Sequence, residues 1–176
     1  MENTTTPTVV TTTSVGMRYG LLTGIASIIF SLVLYMSNTE DGPARWLSFV
    51  ILGVGIVLAH KFYKQHNAGF MSYGQGLGIG ATLSGIVGVL SAIFTFIYVN
   101  YIDTEFMNRA MEKARASMEA RGSLTEEQIE QGMAMTTKFM TPTFLFLGGV
   151  LGTLFFGFLL SLLIAAITKN NRPEFE

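Results

Sequence analysis

The chain has 176 residues, of which 49% are hydrophobic and only 13% charged, with a net charge of −1 and no cysteine. A soluble domain carries about a quarter charged residues, so this composition belongs to a chain dissolved in lipid. The near-neutral balance excludes a nucleic-acid surface, and the missing thiols exclude disulfides, thiolate zinc sites and cysteine nucleophiles.

The chain opens on a polar tract with six threonines among its first twelve residues, and such a segment buries too little apolar area to fold. Residues 1–18 are therefore expected to be a disordered tail. Asn3-Thr4-Thr5 fits the glycosylation pattern, but in a threonine tract that match is close to chance. The first uncharged run, Tyr19 to Met36, has no basic leader and no small-residue cleavage site after Leu34-Tyr35-Met36-Ser37-Asn38, so it is expected to remain as a membrane span.

Three further uncharged runs follow: Trp46 to Ala59, Leu77 to Ile102 and Phe144 to Ile167. The second reaches full length if Lys61 snorkels, with Trp46 and Tyr63 at the two aromatic belts. The third, at 26 residues, extends about 39 Å at 1.5 Å per residue and must tilt or protrude from a hydrocarbon layer of about 30 Å. The expected fold is an all-α membrane protein with spans at about 19–36, 44–63, 77–102 and 144–167. Gly76-Leu77-Gly78-Ile79-Gly80-Ala81 matches a dinucleotide fingerprint only formally, because no strand precedes it and it opens an apolar span.

Within the spans the small residues are periodic. Gly76, Gly80, Ser84, Gly88 and Ala92 recur every fourth position in the third, and Gly149, Thr153, Gly157, Ser161 and Ala165 do so in the fourth. Gly16, Gly20 and Gly24 continue the pattern in the first, and Gly55 and Ala59 in the second. Lipid already solvates apolar side chains, so membrane helices associate through close backbone approach, and both five-position stripes are expected to be helix-packing surfaces. Their partner can be a helix of the same chain or of a second copy.

Residues 103–143 form the only sizeable segment outside the spans. Met107, Ala110, Met111, Ala114 and Met118 fall at helical spacing, with Glu105 to Arg109 and Arg115 to Glu119 paired four apart. Gly122 ends this helix, and Ser123-Leu124-Thr125-Glu126 has the form of a capping box for a second one, whose apolar face is Ile129, Met133, Thr136 and Met140. Pro142 closes it. An extramembrane amphipathic hairpin results, its apolar faces meeting each other, the membrane surface or a partner; Met107, Met111 and Met118 are the expected partner-facing residues. Six of the ten methionines lie here. Without nearby Cys or His they are adaptable packing groups rather than copper ligands.

Nothing else announces chemistry. His60 and His66 lack a nearby carboxylate or third ligand and are expected to be interfacial polar residues. No cofactor, metal or catalytic site is expected. The spans lack ionisable groups suited to ion coupling and offer hydroxyls, backbone and Asn100 instead.

Four spans put both termini on one side. Arg18, Lys61, Lys64, Lys169 and Arg172 then lie on that side, and Arg45, Arg109, Lys113, Arg115, Arg121 and Lys138 on the other. The short segments favour cytoplasmic termini. A polar tail, 168–176, completes the chain.

The connector His66-Asn67-Ala68-Gly69-Phe70-Met71-Ser72-Tyr73-Gly74-Gln75-Gly76, together with Tyr98-Val99-Asn100-Tyr101-Ile102-Asp103-Thr104-Glu105-Phe106, resembles the domain-of-unknown-function family numbered 4199. The resemblance implies a small four-helix protein of the bacterial cytoplasmic membrane, and it supplies no activity or catalytic residue. Thr104 stands where family members often have proline, leaving that helix start less sharply fixed. The expectation is a structural or interaction component whose partners are the bilayer and a second copy or another membrane protein. An uncoupled transporter or channel for a small neutral or lipidic molecule is the alternative. A membrane-embedded enzyme comes third, and it would need a polar cavity containing Asn100 with a perturbed acid such as Asp103 nearby.

Overall fold

A computed structural model describes residues 10–172. The fold is all-α: α1 (Thr12–Met36), a 3₁₀ turn (Pro43–Trp46) leading into α2 (Leu47–Gln65), α3 (Tyr73–Ile97) continued by a π-helical segment (Tyr98–Ile102), α4 (Phe106–Glu119), α5 (Glu126–Phe139) and α6 (Pro142–Thr168). Four of these are long and apolar enough to cross a membrane: Thr12–Met36, Pro43–Gln65, Tyr73–Ile102 and Pro142–Thr168.

The first helix begins earlier than its uncharged run. Thr11 is its N-cap, its hydroxyl accepting from the Ser14 N–H at 3.1 Å. Val15 and Gly16 are buried one turn later. Residues 12–18 are thus helix rather than tail, because a threonine tract that lacks an apolar stripe still folds where it supplies a cap and packs against a neighbour. The remaining part of the expected tail, including Asn3-Thr4-Thr5, lies outside the described residues.

The chain divides into two units, one comprising residues up to Leu90 with those from Leu151, the other Ser91–Val150. In the first unit, α1, α2 and the adjoining parts of α3 and α6 bury a core of Val15, Leu52, Ile56, Ala59, Tyr63, Met71, Ile79, Leu83 and Val87. Its construction is inverted relative to a water-soluble bundle. On α1 the buried residues between Val15 and Leu34, which are themselves buried, are Gly16, Gly20, Thr23, Gly24 and Ser27, while Leu22, Ile29 and Val33 are 56%, 59% and 57% exposed. Large apolar side chains outside and small or hydroxylated ones inside are what a lipid solvent selects.

In the second unit the π-helical segment is closed by the Asp103 N–H donating to the Tyr98 carbonyl at 2.9 Å. Tyr98 is buried and meets the Phe106 ring edge-on at 6.4 Å. α4 ends at Glu119, and Gly122 takes the left-handed conformation (φ 65°) that turns the chain. The capping box is two residues further on than expected: Thr125 accepts from the Gln128 N–H, and the Gln128 side chain accepts from the Thr125 N–H. Both spacings occur in the sequence, and the later one places Glu126 and Glu127 in the first turn, where the helix dipole favours acids. Arg109 forks onto Asp103, its two nitrogens donating at 3.0 and 2.5 Å. Glu105 accepts from Asn108 at 2.9 Å. Arg115 bonds Glu119 at 2.8 Å and spans the turn to Glu126 at 2.7 Å.

Candidate functional site

The two small-residue stripes meet in antiparallel register within the first unit. A Cβ placed on Gly76 would lie 2.9 Å from the Ala165 Cβ, one on Gly80 would lie 2.6 Å from the Ser161 Cβ, and one on Gly157 would collide with Ser84. Four-residue steps up α3 thus match four-residue steps down α6. Gly88 is also buried, and Thr153 is half-buried. In the second unit a Cβ on Gly149 would stand 3.9 Å from that of Ala92, an ordinary contact. Gly149 itself is exposed. The first-helix glycines meet α3 as well: Gly16 against Thr82, Gly20 against Ile86 and Gly24 against Leu90. Gly55 faces Thr23 of α1. The third helix consequently meets α1 and α6 closely, glycine backbone on one side set against side chains on the other.

One end of this unit is clasped by polar groups. His60, on α2, is fully buried, which corrects its assignment as an interfacial residue. It sits on the inward face with Leu52, Ile56, Ala59 and Tyr63. Its Nε2 donates to the Gly76 carbonyl at 3.0 Å, and its Nδ1 lies 2.8 Å from the Thr168 hydroxyl. The hydroxyl is also 2.7 Å from the Ile164 carbonyl. A carbonyl can only accept, so in neutral imidazole Nε2 holds the proton, and Nδ1 and Ile164 compete for the single hydroxyl proton. Lys64, one turn beyond, donates to the Thr168 carbonyl at 3.0 Å, a cation at a helix C-terminus. Met71 and Asn170 exchange two backbone bonds of 2.8 Å, and the Asn170 amide donates to Gly69 at 3.0 Å. The start of the expected polar tail is therefore anchored to the connector between α2 and α3. His66 is exposed, lies 4.2 Å from the Phe62 ring and donates from Nδ1 to the Phe62 carbonyl at 2.9 Å.

This clasp positions helices. His60 faces a hydroxyl and a carbonyl rather than a carboxylate, and among the described residues no three His, Cys, Asp or Glu side chains converge on a metal-sized site. Asn100 donates its amide to the Phe96 carbonyl at 2.7 Å. Hydrogen bonds from Arg109 hold the Asp103 carboxyl below its ordinary range, the wrong direction for a proton donor near neutral pH. Thr168, Met71 and Asn170 carry no sequence signal of their own. His60 does have one, because it shares the heptad-like face of Ile56 and Tyr63.

On the hairpin, Met107, Met111 and Met118 are half-buried. Met118 is turned onto α5, its sulfur 3.1 Å from where a Gly132 Cβ would stand. It packs the hairpin together and is not among the open surface residues. Met135 and Phe139, four apart on α5, are 64% and 59% exposed.

Four apolar helices with small-residue seams and a short extramembrane hairpin define a polytopic helical membrane protein. More particularly, the chain belongs to the family described as protein of unknown function (DUF4199), which matches residues 18–170. No curated protein and no solved structure matches it.

Proposed function

We propose that this protein is a non-conducting structural or interaction component of a bacterial cytoplasmic membrane, carrying out no chemical step, with both termini cytoplasmic and the α4–α5 hairpin as its partner-facing part. One observation carries this reading. The centre of the first unit is filled by side chains, with Ile56, Ala59, Ile79, Leu83, Ser84 and Ser161 all at 0% exposure. A pathway for a solute needs a polar or wettable lining, whereas here glycine and serine bring the helices into direct contact. On the hairpin, Met135 and Phe139 offer flexible and aromatic apolar surface suited to a second copy or another membrane protein.

The orientation rests on short segments. Arg18, Lys61, Lys64, Lys169 and Arg172 gather at the clasped end, while the 3₁₀ turn at the other end carries Arg45. The test is crosslinking from native membranes with a photoreactive residue at Met135, followed by affinity purification. A defined adduct, to a second copy or another protein, that Phe139→Glu and Met111→Lys abolish is expected. An adduct pattern unchanged by both substitutions, or solute flux in proteoliposomes well above that of empty vesicles, would overturn the proposal.

A further inference from the structure

Between α2 and α6 of the first unit runs an open groove of about 610 Å³. Val50, Val54 and Leu58 line one wall, and Leu160 and Ile164 the other. Gly53 lies on its floor, where a Cβ would reach the Ile164 Cδ1 at 4.0 Å. Lys61 stands at one end. From Val50 to Lys61 the groove follows α2 for about 17 Å at 1.5 Å per residue. That is close to one leaflet's share of a hydrocarbon layer of about 30 Å. We infer that this groove holds one acyl chain of an anionic glycerophospholipid, with the lipid phosphate on the Lys61 ammonium.

Charge fixes the occupant's class. The Lys61 side chain is exposed and makes no ion pair or hydrogen bond among the described residues, in contrast to Lys64, whose ammonium is committed to Thr168. Arg18, Lys169 and Arg172 lie at the same end, and the described acids of this unit, Glu40 and Asp41, lie at the other. A phosphate near Lys61 therefore meets, among the described residues, only positive side chains at this end. The walls accept an acyl chain and offer nothing to a sugar: along the groove α2 presents Phe49 with β-branched and leucyl side chains, and Gly53 in place of bulk. The helix interior behind it is closed by Ile56 and Leu52, so the chain lies along the surface of the bundle rather than within it.

The test is native mass spectrometry of the delipidated full chain in detergent, titrated with palmitoyl-oleoyl phosphatidylglycerol or with the phosphatidylcholine of the same chains. One phosphatidylglycerol is expected to be retained about fivefold more tightly than phosphatidylcholine, the contribution of one lysine at a lipid surface. Lys61→Gln, at an exposed position, is expected to remove that preference, and Lys169→Gln to leave it largely intact. Val54→Trp, which fills the groove from its lipid-facing side, is expected to lower retention of both lipids. Inorganic phosphate at the same concentration is expected not to displace the bound lipid, because the acyl chain supplies most of the hold. Equal retention of the two lipids, a preference that survives Lys61→Gln, displacement by phosphate, or a second protein copy seated in place of lipid would each overturn the assignment.

Discussion

Gly78 and Gly80 lie two positions apart on α3 and meet opposite surroundings. A Cβ on Gly80 would come within 2.6 Å of the Ser161 Cβ, while one on Gly78 meets nothing within 4 Å. Gly80→Ala and Gly157→Ala are therefore expected to cost about 1–3 kcal/mol through overpacking. Gly78→Ala and Gly152→Ala are expected to be neutral, or to stabilise by up to about 1 kcal/mol through helix propensity. Thermal unfolding in detergent checks both, and equal effects at all four positions would contradict the packing of α3 on α6. Thr168→Val removes the hydroxyl that His60 Nδ1 faces and is expected to cost about 1–3 kcal/mol, whereas Thr168→Ser retains the bond. The spacing of the small residues was legible in the sequence because close approach in lipid favours glycine, alanine, serine and threonine. The surroundings of His60 were not, since its partners are a carbonyl and a hydroxyl 16 and 108 positions away, and polarity near a span end reads equally well as interface.

Among the elements, the hairpin shows where local rules compete. Two overlapping capping signatures, from Ser123 and from Thr125, give starts for α5 two residues apart, and Thr125 is the residue in extended geometry (φ −77°, ψ 159°) at the cap. Thr125→Ala is expected to lose about 1 kcal/mol of local stability, and Ser123→Ala much less, read as faster amide exchange over the first turn of α5. Before α4, the Glu105–Arg109 spacing invites a helical ion pair, yet Arg109 reaches back to Asp103 because the chain has to be turned out of the π-helical segment there. Asp103 has a folded pKa depressed from its ordinary value of 3.8, chiefly by hydrogen bonds from Arg109. Its contribution is thus fully present above that value and disappears as pH falls through the lower, folded one. Protection of the Asp103 and Phe106 N–H groups, taken as the observed exchange rate relative to the intrinsic rate at each pH, is expected to hold down to about pH 4 and to fall below it. In Arg109→Gln the protection is expected to be weaker throughout and its acid loss shifted upward, toward ordinary carboxylate titration. A profile identical to the parent's would show that the pair does not hold this turn.

At the scale of the molecule, the four spans were legible because lipid removes the need for a polar face, so uncharged length alone identifies them. Their ends were harder to place. α1 gains its first turns from Thr11 capping and Gly16 packing, neither of which hydropathy registers, and α2 borrows a 3₁₀ turn that puts Pro43 at its first position. The first unit also brings together segments far apart in sequence. Arg18 lies over the Phe62 ring at 5.0 Å, and Met71 pairs with Asn170. The start of α1, the α2–α3 connector and the end of α6 therefore share one end of that unit, with Glu40 and Asp41 at the opposite end. This arrangement has a direct readout, because the chain contains no cysteine and every introduced thiol reports without background. Gln65→Cys, Lys169→Cys and Asp41→Cys all replace exposed side chains. In sealed vesicles of known orientation, a membrane-impermeant maleimide is expected to label Gln65→Cys and Lys169→Cys from the same side and Asp41→Cys only from the other. Four helices crossing the bilayer in alternation allow no other pattern. Labelling of Asp41→Cys and Gln65→Cys from one side would mean that α2 does not cross, and the alternation of four spans would be lost.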